Sequence, residues 1–145
     1  MRVKPTNSRI HSQLDDAELA VFLSDLAAVS RPIVSQWFRK RPDIEIKADT
    51  SPVTIADRTV ELALRDAIAS RFPGDDILGE EHDVIRGDGS TGYQWVIDPI
   101  DGTKAFVSGK PTFGSLVGLL NSGWPVAGFC DMPILDELYL GVGEA

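Results

Sequence analysis

The sequence predicts an α+β domain with two N-terminal helices packed on a mostly antiparallel sheet. Three observations predict it. Leu19, Phe22, Leu23, Leu26, Val29, Ile33, Val34, Trp37 and Phe38 recur at spacings of three and four, which makes one apolar stripe on a helix. Val60, Leu64, Ala67 and Ile68 repeat the pattern farther along. After Gly74 the texture changes to short β-branched and aromatic runs divided by turn residues. The chain's 145 residues suffice for one core.

The first helix is expected over residues 15–40. Asp15 followed by Glu18 gives a capping-box start. Pro32 removes a backbone donor and predicts a kink or break near Ser30. Residues 44–47 alternate polar and apolar and predict a short strand, which Ser51-Pro52 ends. A second helix is expected over 56–71, stopped by Phe72-Pro73-Gly74. Strands are expected over 76–80, 93–97, 114–120 and 124–131, with a further one beginning at 138. Gly87-Asp88-Gly89-Ser90 reads as a hairpin connection, and Asn121-Ser122-Gly123 as a turn.

Composition excludes several function classes. With 22 acidic against 14 basic residues the net charge is -8, so a nucleic-acid polymer is not the expected partner. No stretch approaches the roughly 18 apolar residues of a membrane span, so no membrane partner is expected. Residues 1–13 carry Arg2, Lys4 and Arg9 without an apolar centre, which reads as a flexible tail rather than a secretion signal. Cys130 is the only cysteine, so it has no internal disulfide partner, and it reads as a small core residue. A reducing, cytoplasmic setting is the expectation.

The chemistry lies in carboxylates. In Trp95-Val96-Ile97-Asp98-Pro99-Ile100-Asp101-Gly102-Thr103 a hydrophobic strand ends in two aspartates three residues apart. Pro99 stiffens the link, and Gly102 permits backbone angles closed to other residues. Asp98, Asp101 and the Ile100 carbonyl between them make a set of hard oxygen donors, which suits magnesium, manganese or calcium. The N–H groups of Gly102 and Thr103 would open a short helix over 103–107, where anions are favoured. Upstream, Glu80 and Glu81 end an apolar strand, and adjacent strand residues point to opposite faces, so one of them should face the aspartates. Asp57 stands where the second helix is expected to begin, a place equally suited to a helix cap.

Taken together, Ser51-Pro-Val-Thr-Ile-Ala-Asp57, Gly79-Glu-Glu81 and the 95–103 segment resemble the inositol monophosphatase family of metal-dependent phosphatases. The resemblance covers most of the chain after Leu14. It implies the N-terminal part of a layered αβαβα sugar-phosphatase fold, with residues 14–145 as the metal-binding α+β portion and the C-terminal α/β portion absent. It implies that Glu80, Asp98, the Ile100 carbonyl and Asp101 ligate metal, with Glu81 a weaker partner. Asp57 and Thr103, with Glu80, would activate the attacking water, and the amides of Gly102 and Thr103 would hold the phosphate. Two or three Mg2+ ions are implied, with Mn2+ as a replacement, and hydrolysis without a covalent phospho-enzyme.

The run from Asp101 through Lys104 and Lys110 to Leu116, and the run 131–138, are similar to the histidinol-phosphate phosphatase branch. The expected substrate is therefore histidinol phosphate, converted to histidinol in histidine synthesis. Inositol 1-phosphate, 3'-phosphoadenosine 5'-phosphate and fructose bisphosphate are the alternatives. A reading of another class is a catalytically inactive half-domain that binds metal. Family members supply a further aspartate ligand from their C-terminal half. The 145-residue chain alone is thus expected to bind metal weakly, to turn over little and to self-associate. A homodimer is expected of the family.

Overall fold

A computed structural model of the chain describes residues 11, 14–40 and 52–143. The strand expected over 44–47 lies outside them. Helix α1 (Asp16–Trp37) starts on the expected capping box: Asp15 accepts from the Glu18 N–H at 2.8 Å, and Glu18 accepts from the Asp15 N–H at 3.0 Å. Pro32 sits inside this helix without breaking it. Both Pro32 and Ala28, whose carbonyl loses its donor, are exposed, so water can replace the missing bond.

Helix α2 (Pro52–Arg71) begins four residues before the expected start. Proline's fixed φ and missing donor suit the first helical turn. Asp57 is consequently in the second turn and is not a cap.

The sheet holds β1 (Asp76–Gly79), β2 (Tyr93–Asp101), β3 (Gly114–Asn121), β4 (Trp124–Met132) and β5 (Glu137–Val142), adjacent in chain order. Three neighbouring pairs are antiparallel, but β1 and β2 are parallel, with Gly79 opposite Ile97. Residues 87–90 are therefore not a hairpin connection. They belong to a crossover in which the chain first turns back, making an isolated bridge between Ile77 and Ile85.

Both helices lie on one face of the sheet, α2 over β1 and β2, α1 over β3, β4 and β5. Tyr93, Trp95 and Ile97 of β2 alternate inward with the strand's period of two. Trp95 is fully buried, edge-on to Phe22 and stacked on Phe72. Its indole N–H donates to Asp75 at 2.8 Å. His11, inside the expected tail, contacts the same carboxylate at 3.0 Å and is completely buried between Phe72 and Tyr93, so ordered contacts reach at least to that residue. At the far edge β5 presents Leu138, Tyr139 and Leu140 to solvent.

Candidate metal centre

Topology brings the acids together. The Phe72–Asp75 connection between α2 and β1 is tight, so α2 runs back over the strand and its first turns overlie the strand's end. Because β1 and β2 are parallel in register, Glu80 and Glu81 emerge from the sheet at the same rim as Asp98. An antiparallel pairing would have put them at opposite rims.

Strand β2 runs past its expected end at 97. The strand continues to Asp101, and an extra residue between Asp98 and Asp101 bulges against β3. The inward alternation stops here, with both Pro99 and Ile100 buried. Ser115 of β3 stabilises the bulge by donating to the Pro99 carbonyl at 2.7 Å. Gly102 then turns the chain with φ 89° and ψ 43° into α3 (Thr103–Val107). A side chain there would meet the Thr112 carbonyl at 3.2 Å, so both conformation and space select glycine.

The charges interact. Asp57 is pushed up to about 7, first by burial and then by Glu81, Glu80, Asp98 and Glu61. Asp98 is pushed up to about 6 by burial, by the charges of Glu80 and Asp101, and by a carboxyl contact with Glu80, while the Ile100 N–H opposes the shift. Arg58 is a nearby cation, with its Nε 4.0 Å from Glu81. One oxygen of Asp98 is buried with no hydrogen-bond partner.

An all-oxygen donor set with an unpartnered carboxylate oxygen fits a hard divalent cation. Among the described residues no three of these side chains stand close enough to cage an ion as they are. Burial is the larger cause of the rise at Asp57 and Asp98, and the repulsion that adds to it is the interaction a cation would offset.

The remaining expected positions are less preorganised. Thr103 donates to the Ile100 carbonyl at 3.4 Å, a long bond, and none joins it to Asp57. Asp101, Gly102 and Lys104 are exposed. Asp131 and Asp136, in the run that pointed to a substrate branch, both bind Arg31 of α1 and so tie the helix to the sheet. Burial raises the Cys130 thiol, aided by Asp101 and Asp131, which keeps it protonated and poorly nucleophilic.

Sequence reasoning missed Glu61 and Arg65. Both are buried on α2, and their bonds run to the loop after β1. A signal existed: Asp57, Glu61 and Arg65 are spaced by four along the face that also carries Val60 and Leu64.

Comparison with known proteins gives the chain's relatives. The model of the inositol monophosphatase family matches residues 15–144. The chloroplastic bifunctional phosphatase IMPL2 of Arabidopsis thaliana is 45% identical over 134 residues, covering 90% of this chain and 39% of that protein. A histidinol-phosphatase of Mycobacterium tuberculosis is 43% identical over 124 residues, covering 85% of this chain and 46% of its own. Among solved structures, an inositol monophosphatase from Zymomonas mobilis superposes with a TM-score of 0.73 at 39% identity, over 87% of this chain and 47% of that one. The chain thus spans less than half the length of these relatives.

Proposed function

We propose, from the premise that the chain belongs to the inositol monophosphatase family, that it is the metal-binding half of a Mg2+-dependent phosphomonoesterase acting on histidinol phosphate. The observation that carries the chemistry is the mutual crowding of Asp57, Glu80, Glu81 and Asp98. Asp57 and Asp98 are raised first by burial and then by the neighbouring carboxylates, an arrangement that an added positive charge would relieve.

In this reading Glu80, Asp98, Asp101 and the Ile100 carbonyl hold the cations, with Glu81 as a weaker partner. When bound, Mg2+ would supply positive charge and make water a stronger acid. Asp57 accepts the proton of the attacking water as its oxygen bonds to phosphorus and the ester P–O bond breaks, the leaving alkoxide taking a proton from solvent. Thr103 orients that water by moving off its long bond to Ile100. The amides of Gly102 and Thr103 donate to the phosphate, which the left-handed turn at Gly102 leaves accessible. Two of the relatives carry the histidinol-phosphate and inositol phosphatase names. The sequence features around Lys104 and 131–138 support the first.

The test is phosphate release from histidinol phosphate, inositol 1-phosphate and 3'-phosphoadenosine 5'-phosphate in Mg2+. It is run on the chain alone and on the chain complemented by the C-terminal half of the Mycobacterium relative. The complemented protein should prefer histidinol phosphate, and Asp98→Asn should slow it on the order of a thousandfold. Release that is insensitive to Asp98→Asn would overturn the ligand assignment. Preference for another ester would overturn the substrate. Cation binding without turnover in any form would support the half-domain reading instead.

A further inference from the structure

Glu61 is completely shielded from solvent, yet its carboxylate is not idle. It accepts from Arg65 Nε at 2.7 Å, from the Glu81 N–H at 2.8 Å and from the His82 N–H at 3.1 Å, and it lies 3.2 Å from His82 Nδ1. Arg65, itself 3% exposed, donates onward to the carbonyls of Asp83 at 2.8 Å and His82 at 3.0 Å. Gly79 is shaped to the same carboxylate: a Cβ there would stand 2.1 Å from Glu61 Oε1. The backbone on both sides of Glu80 is thus fitted around one side chain of α2.

Stability alone does not account for this. Burying an ion pair carries a desolvation cost that apolar side chains of equal volume avoid. What the pair adds is a fixed path for residues 79–83.

We infer that Glu61, supported by Arg65, is a positioning residue for the metal centre. It orients the backbone that carries Glu80 and Glu81 toward Asp98 and Asp57, so cation affinity depends on it. Its own oxygens are occupied and do not ligate. The inference rests on reading the acid cluster as a cation site. The alternative is a plain loop anchor that stabilises the fold without affecting the cation.

Mn2+ titrations of the 145-residue chain, followed by water-proton relaxation, separate the two, with Tm measured in chelator alongside. Glu61→Gln keeps the shape but loses an acceptor and a charge that acts on Asp57, and should raise the Mn2+ Kd at least fivefold. Gly79→Ala, which changes no charge, is the control: it should weaken binding similarly, and a Kd unmoved by it would overturn the positioning role. In Glu61→Ala/Gly79→Ala the added methyl should cost nothing beyond Glu61→Ala, a non-additivity that only their shared contact produces. If Glu61→Gln lowers Tm but leaves Kd within twofold, the inference is wrong. Should that variant not fold, His82→Ala removes one contact at a half-buried position and should raise Kd about twofold, and an unchanged Kd again overturns it. A wild-type chain that binds no Mn2+ would refute the metal centre itself, a separate result from unaffected variants.

Discussion

A carboxylate that is partly buried and then crowded by its own kind is less stable folded than unfolded once it ionises, and Asp98 and Asp57 are both in that position. Their folded pKa values, about 6 and about 7, lie above the unfolded value of 3.8. The folded chain therefore retains protons that the unfolded chain releases, and the associated stability, full below pH ~4, is lost as pH rises towards ~7. Chemical denaturation in chelator should show this decline, and Mg2+ should flatten it; stability rising over that window would contradict the raised values. Asp98→Asn removes one of the repelling charges. It should raise the stability of the metal-free chain by about 1 kcal/mol, allowing for solvent screening of a half-buried group, while abolishing stabilisation by Mn2+. Gly102→Ala acts by another route. Its φ of 89° is strained for any side chain, so a loss of about 1–2 kcal/mol in the same denaturation assay is expected.

Elements that announce themselves by periodicity were legible; those set by partners were not. The apolar stripe and capping box of α1 are local features, and the helix formed where they indicate. Pro32 misled because its effect depends on which face it occupies, which is a tertiary matter. The parallel pairing of β1 with β2 was invisible because two short apolar runs carry no record of relative direction. The acids at 57, 80, 81, 98 and 101 were nominated through their motifs, whereas Glu61 and Arg65 belong to none of those motifs. Between elements, Arg31 of α1 reaches the fully buried Asp131 of β4 at 2.6 Å. Arg31→Met would strand that carboxylate and should cost about 3 kcal/mol, read as a lowered denaturation midpoint. A loss under ~0.5 kcal/mol would mean the pair merely breaks even.

At the scale of the sheet, the acids and the Asn121–Trp124 corner occupy opposite ends. The acids gather where β1 and β2 finish, and the Asn121–Trp124 corner closes β3 onto β4 beside Tyr93, where β2 starts. Five residues of extended chain separate the two ends, about 17 Å at 3.3–3.4 Å per residue. That corner is exposed, and Ser122 already takes a left-handed φ of 50°. A short peptide epitope spliced in after Ser122 should therefore leave Mn2+ affinity within twofold of wild type. The far corner of the sheet is a natural handle by which the protein could be tethered to a surface or joined to a reporter while its acidic end stays open to solution.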